Sequence, residues 1–374
     1  MNIKKYLMCL SIAAVMAVYT GCNEAIEAWK PIGSGSTIQI AVVGNDEFYT
    51  NGGTVEAIQL ASNDFYERTG ITVDVLYYDD DADYHKAIAY ANKIATDSNI
   101  AAVIIKEEID FVDTVADIYE EAQKPFIITN GCYNHTIEKG YEYLLVDFIN
   151  AKSAGIIMGQ YVKNNGFQRA AFCHSDTEYE EDELKGFQAE IEGSSVTLAD
   201  TVVGPYTQEE FDIAYSRWQT LGVDVVCVSN YYNLNSDLVR MLRQKESDIQ
   251  VVSDYVMDTD DDIQLNGKYL DGTVIVPLYI LSDSDEKSDA AKRFYDTYGF
   301  EMTERAVQSY DLIDMLCTAL NSGVSDSSGL MSVLKSEEGY EGIYGKVMFD
   351  ENGALIPSGN DVQVFSDGGF RKKS

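Results

Sequence analysis

Short apolar runs alternate with amphipathic segments along most of this chain, and that alternation restricts the possible folds more than any other feature. Ile38 to Val43 is apolar and ends at Gly44. A helical pattern follows, with Val55, Ile58, Ala61 and Phe65 on one face, and Gly70 stops it. Thr72 to Tyr77, Ala101 to Ile105 and Pro125 to Thr129 read as strands, with helices over Lys86 to Thr96 and Val112 to Ala122. Strands this apolar, separated by helices, predict a parallel sheet covered on both faces. The pattern restarts at Tyr143. Strands are expected at Tyr143 to Val146, Arg169 to His174, Val196 to Val203, Asp224 to Ser229, Ile249 to Ser253 and Thr273 to Pro277. Helices are expected over Ser153 to Lys163, Glu181 to Ile191, Phe211 to Leu221 and Leu234 to Gln244. Two consecutive runs of similar size predict an α/β protein of two doubly wound parallel-sheet lobes. Length agrees, since about 350 residues after Cys22 exceed one comfortable core. Helices over Lys287 to Tyr298 and Thr303 to Asn321 follow, and then the character changes. Lys346 to Phe349 and Val362 to Phe365 read as a hairpin and a strand, with turn residues at Asp350 to Gly353.

The N-terminus has its own logic. Lys4 and Lys5 precede an apolar stretch from Tyr6 to Tyr19, closed by Thr20-Gly21-Cys22. A basic region, a short greasy region and small residues at the cut make a secretory signal peptide. The stretch is shorter than the ~20 residues that span a bilayer. Cys22 after the small residues resembles a bacterial lipobox. This predicts a lipoprotein signal peptide over 1–21, lipidation at Cys22 and a tether over 22–36, whose Gly, Ser and lack of periodicity suit a linker. The protein is expected outside the cytoplasm, lipid-anchored to the bacterial cell membrane.

Charge and motifs narrow the function. The formal charge of −35 becomes −37 without Lys4 and Lys5, and no basic stripe remains, so nucleic acid is excluded as a partner. The acidic clusters at Asp79 to Asp81 and Asp258 to Asp262 read as solvated loops. The second lacks the glycine and distal glutamate of a calcium loop, and no Cys/His spacing suits zinc, so no metal is expected. Cys132, Cys173, Cys227 and Cys317 lie among apolar neighbours and read as buried thiols. An exported protein can also form disulfides, and spacing alone leaves that open. GxSxG, GxGxxG after a strand, Walker A and HExxH motifs are missing. No enzyme and no cofactor are expected.

Several stretches together resemble the type I periplasmic binding proteins, in the leucine/isoleucine/valine-binding branch of ABC-transporter substrate-binding proteins. They are Lys86 to Lys93, Ala116 to Glu120, His174 to Tyr179, Tyr310 to Ile313 and Gly345 to Gly353. The likeness runs from about Thr37 to the C-terminus. It implies a three-crossing hinge, with lobe one over 37–148 plus 281–340 and lobe two over 149–280 plus 341–374. It also implies a small-molecule ligand between the lobes, an ABC permease as partner and amino-acid transport as the role. A ligand-sensing receptor subunit and an extracellular enzyme on the same scaffold are the alternatives. Ligands of doubly wound sheets bind outside the carboxyl ends of strands. The candidates there are Tyr49, Glu107, Glu108, Ile109, Gly131, Tyr133, Tyr179, Tyr231, Asp254 and Tyr255. Tyr179 and Tyr231 fall where the resemblance implies cleft aromatics, and Asp254 or Tyr255 where it implies an acid facing an ammonium group. The turn Lys106 to Phe111 replaces a serine-rich turn of the amino-acid binders, and Tyr133 stands where a small hydroxyl is implied. These departures predict a small, flat or amphipathic solute, neutral or cationic, stacked on tyrosines and not held by a carboxylate clamp, with branched-chain or other amino-acid-like solutes as the alternative.

Overall fold

The computed structural model describes residues 33, 35–106, 109–230, 233–279, 288–343, 345–357 and 362–372. The first sheet contains β1 (Thr37–Gly44), β2 (Thr72–Asp79), β3 (Ile100–Lys106), β4 (Phe126–Ile128) and β5 (Leu144–Val146). Its spatial order is β2-β1-β3-β4-β5, and every pair is parallel. Burial explains the composition. The central β3, Ile-Ala-Ala-Val-Ile-Ile-Lys, is buried almost throughout, whereas the edge strand β2 carries Asp and Tyr and stays partly exposed. The helices between are α1 (Asp46–Thr50), α2 (Thr54–Thr69), α3 (Tyr84–Ala95), α4 (Ile109–Glu121) and α5 (Asn134–Glu138). Asp83 caps α3 by accepting from the His85 and Lys86 amides, and Gly70 ends α2 in the left-handed conformation.

The second unit runs α6 (Ala151–Asn164), β6 (Arg169–His174), α7 (Glu178–Ile191), β7 (Thr197–Val203), α8 (Gln208–Leu221), β8 (Val225–Ser229), α9 (Leu234–Gln244), β9 (Gln250–Ser253), α10 (Asp260–Asn266) and β10 (Val274–Ile275). Its strands follow the order β7-β6-β8-β9-β10, repeating the topology of the first sheet. Thr207 and Glu210 form a capping box at the start of α8. The chain then returns to the first unit with α11 (Asp289–Tyr298), α12 (Glu304–Asn321) and α13 (Ser327–Leu334), α12 packing along α2.

The tail divides between the units, which corrects the expected placement of everything after residue 340 in lobe two. Strands β11 (Tyr340–Gly342) and β12 (Gly345–Val347) pair with each other and stay on the first unit. The Tyr340 hydroxyl donates to Asp314 at 2.5 Å, and the Ile343 amide to Asp311 at 2.8 Å. Ala354 bridges to Val146 beside β5. Only β13 (Gln363–Ser366) and β14 (Gly369–Lys372) join the second sheet, antiparallel at its edge. Asp80 also departs from the expected solvated loop: it is buried, and its Oδ1 accepts from the Ala82 amide at 2.9 Å.

Three crossings connect the two units: 147–150, between 279 and 288, and between 357 and 362. The Ile149 amide of the first donates to the Leu278 carbonyl at the start of the second, at 2.9 Å. Glu304, in the first turn of α12, accepts from the Leu278 amide at 3.1 Å and from Gln363 Nε2 at 2.7 Å. One carboxylate thus ties the second and third crossings together. Burial, then Asp258, pushes it up to about 7.

Helices α6 and α7 lie in backbone contact. A Cβ on Gly155 would land on the Glu183 carbonyl, and one on Gly186 on the Lys152 carbonyl. This approach fixes the position of Glu183 beneath the end of β8. Gly155→Ala should therefore destabilise the protein by about 1–3 kcal/mol in urea unfolding, although alanine is the better helix former. An unchanged midpoint would show that the helices can part at no cost.

Candidate ligand cleft

The carboxyl ends of both sheets converge on the space between the units. Lys106, Thr129 to Gly131 and Asp147 stand on the first side; Ser175, Ser229, Asn230, Asp254 and Tyr255 stand on the second. Tyr179 begins α7 and faces across the gap. Its hydroxyl is buried beside that of Tyr255. Burial, then Tyr255, Glu183 and Asp254, holds that phenol well above its usual range, and Cys132 of the opposite side also contributes. Tyr255 is pushed up to about 12 by burial and Asp254, while Arg305 across the gap pulls the other way. A cleft of about 640 Å³ opens beside it, lined by Tyr255 and Asp258 on one side and by Asn51, Thr303, Glu304 and Arg305 on the other.

Asp254 is 2% exposed. Its Oδ1 accepts from Asn235 Nδ2 at 3.0 Å, and Asn235 Oδ1 also accepts from the Asn230 amide at 2.9 Å. Burial, then Glu180, raises Asp254 to about 8. Glu183 is fully buried, with the Ser229 hydroxyl beside its carboxyl group. It lies one turn beyond Tyr179 on the same face of α7. On the first side, Lys106 is 2% exposed and is lowered to about 7 by burial and the nearby Arg305, against the pull of Asp147. Arg305 itself donates to Asn130 Oδ1 at 3.0 Å. The cations Lys106 and Arg305 thus stand on the wall of the first unit, beside Asp147 and Glu304, while the wall of the second is acidic.

The expected residues divide into groups. Tyr179, Asp254 and Tyr255 are brought together on the second side. Ile109 and Gly131 lie near each other on the first side, where a Cβ on Gly131 would come 4.0 Å from the Ile109 side chain, and Tyr133 follows them. The Tyr133 hydroxyl is already engaged, donating to Asp110 at 2.7 Å. Tyr49 stands apart from this group: it is buried against Tyr77 with ring centroids 5.4 Å apart, held up to about 12 by burial and then Asp79. Glu107, Glu108 and Tyr231 lie outside the described residues, as does Cys22. Cys132, Cys173, Cys227 and Cys317 are buried free thiols. Sequence reading missed Glu183, Lys106 and Arg305. Only the spacing of Glu180, Glu183 and Phe187 along the inner face of α7 signals the buried glutamate.

A clasp spans the two sides. His135, in α5, has Nε2 2.5 Å from Asp113 and Nδ1 2.5 Å from Glu178 of the opposite unit. A neutral imidazole has one N–H, so donation to both requires the imidazolium. Tyr133 stacks on the ring at 5.4 Å. Thr136 also donates to Asp113, and Lys139 stands 3.8 Å from that carboxylate. Glu178, then Asp113, raises His135 above its ordinary value.

Comparison with known proteins places this geometry in a family. A periplasmic binding protein family model matches residues 41–369, and the chain belongs to that family. It is similar to the leucine-specific-binding protein of Salmonella typhimurium, with 27% identity over 191 residues, 49% of this chain and 50% of that protein. The chain thus spans about half the length of the curated relatives it matches. An ABC transporter substrate-binding protein from Desulfitobacterium hafniense matches with TM-score 0.80 at 18% identity, over 90% of this chain and all of that one. An ABC transporter substrate-binding protein from Desulfitobacterium hafniense in complex with Leu matches with TM-score 0.78 at 19% identity, over 90% of this chain and all of that one. The architecture is the type I periplasmic binding protein fold, as the resemblance implied.

The clasp sets a pH dependence. A histidine raised on folding contributes stability that is fully present below its unfolded value of about 6.5 and is lost as pH rises through the folded value. Wild type should therefore melt above His135→Gln at about pH 5.5, and the gap should close by about pH 9. A gap that stays constant would remove the imidazolium from the clasp.

Proposed function

We propose that this protein is an extracytoplasmic solute-binding lipoprotein of an ABC importer. It captures a small amino-acid-like or amphipathic solute between its lobes and presents the closed form to a permease. The observation that best supports this is the convergence of two parallel-sheet carboxyl ends on one cleft, where the Asn230 Nδ2 is buried without a partner among the described residues. Buried polar groups are normally satisfied, and a ligand supplies what the protein does not. The lobes are proposed as 37–148 with 288–357 and 149–279 with 362–372. Closure brings Tyr179 and Tyr255 against the solute, with Ile109, Gly131 and Tyr133 opposite, and Glu107, Glu108 and Tyr231 assigned to the same lining. Ligand contacts on both lobes shift the open–closed equilibrium, and the protein performs no reaction. The leader over 1–21 directs export, and lipid on Cys22 holds the protein at the membrane.

A thermal-shift screen of small metabolites, followed by calorimetry, tests the binding role. At least one solute should raise the melting temperature and bind with a one-to-one stoichiometry. Tyr179→Ala and Tyr255→Ala should each weaken it roughly tenfold, the loss of one good aromatic contact. The exposed Glu209→Ala should leave affinity unchanged. Unaltered affinity in both tyrosine variants would move the site elsewhere.

The anchor is tested separately. Intact mass of detergent-extracted protein should show lipid on Cys22 and no residues before it. Cys22→Ser should release a folded protein from the membrane, and a free thiol at Cys22 in the extracted protein would refute the anchor.

A further inference from the structure

Among the described residues, two ion pairs cross between the units, and both start on the short helix α5. Glu138 stands 3.5 Å from Lys152 of α6, and His135 reaches Glu178 at the start of α7. The histidine pair is open to water, with side-chain exposures of 43% for His135 and 48% for Glu178, so protons reach it without unfolding. The groups facing the ring are chiefly acids. On the first unit, α4 supplies Asp113 and also Asp110, which holds the Tyr133 hydroxyl, while Lys139 of α5 is shared between Asp113 and Asp117. On the second, α7 begins with Glu178, Glu180 and Glu181, and its Lys185 is held by Asp182 at 2.8 Å. A neutral imidazole donates to one carboxylate and turns a lone pair toward the other. Asp113 and Glu178 then face each other across the gap with no positive charge between them. The imidazolium donates to both. Loss of one proton therefore changes this contact between the units from attractive to repulsive. The contact is also continuous with the cleft, since Tyr133 stacks on the ring and Glu178 directly precedes Tyr179.

We propose that a proton on His135 acts as a ligand of this protein in its own right: it draws the two units together, so that acid favours the closed form and rising pH releases it. The proton binds the closed form better, because only there do carboxylates of both units meet the ring. Whatever binds one form better shifts the population toward that form. The sign follows from the direction in which Glu178 and then Asp113 move the ring, above its ordinary value. The favourable contribution is complete below about 6.5, where the ring is protonated in either form, and is lost as pH rises through the higher value of the clasped ring. A consequence follows for solute: where the closed form holds it, acid tightens the hold. That consequence rests on the binding-protein reading, whereas the closure itself does not.

Energy transfer between dyes on the two rims, measured on the full chain with no solute added, tests the closure. His85→Cys at the start of α3 and Glu209→Cys at the start of α8 carry the dyes in a Cys22→Ser chain, since Cys132, Cys173, Cys227 and Cys317 are buried. The closed-to-open ratio should be about threefold or more higher at pH 5.5 than at pH 9, the size expected of a partly solvated ion pair. His135→Gln and, separately, Glu178→Gln should each remove most of that difference, and the second serves if the first folds poorly. Asp258, Glu304, Lys106 and Asp254 change charge in the same range, at about 6, 7, 7 and 8, and their effect would survive both substitutions. A difference that persists undiminished in both variants would therefore overturn the proposal, as would a ratio that is constant with pH or higher at pH 9. Imidazole resonances give a second reading. The His135 signal, assigned by its loss in His135→Gln, should titrate above 6.5 in the wild type and closer to 6.5 in Glu178→Gln. A ring that titrates alike in both would remove Glu178 from the clasp and overturn the proposal. No solute enters either measurement, so failure of the clasp leaves the binding-protein reading intact, and failure of every solute leaves the clasp intact.

Discussion

A parallel sheet has no spare face, and the rest of this structure follows from that constraint. Its strands must be connected by crossover helices, and those helices cover both faces. Strands such as β3 and β8 are consequently apolar along their whole length and buried. Polar chemistry is displaced to the strand ends, where the chain turns toward the next helix. Two such sheets joined by three short crossings leave one place where strand ends of both meet. The cleft is a consequence of topology before any side chain is chosen.

Side chains then give that space a direction. Lys106 and Arg305 stand on the first wall, while Glu180, Glu183 and Asp254 stand on the second. Burial opposes ionisation on both walls. It lowers Lys106 to about 7 and raises Asp254 to about 8, so each group resists its charge. Groups in this condition gain more from a partner than solvated ones do. The overall surplus of acid in the chain says little about this, since most of it is surface charge screened within about 10 Å at ordinary salt.

The crossings and the clasp control how the walls meet. Glu304 holds the second and third crossings at one point, while the Ile149–Leu278 hydrogen bond joins the first to the second. His135 reaches Glu178 across the gap, and its two carboxylate partners belong to different units. Such a contact joins the two units most strongly when the imidazole is protonated.

Local periodicity alone determined the order and type of the main elements. Alternation of apolar runs and amphipathic helices is a local record of which face is buried, and β6 and α9 begin and end where that record places them. The expected leader and Cys22 rest on linear sequence alone and lie outside the described residues. Only the tertiary structure decided which strand-end residues share a space. Tyr49 and Tyr179 look alike in sequence, yet one packs on Tyr77 and the other faces the cleft. The tail reads as one segment and divides between two sheets, since hydrogen-bonding edges are chosen by what lies beside them. Glu183 sits in a helix crowded with acids and looks like solvated surface. Its burial depends on two glycines that let α6 approach, and on a β8 end forty-odd residues away. Periodicity states that a face is covered; the partner that covers it is fixed only when distant segments pack.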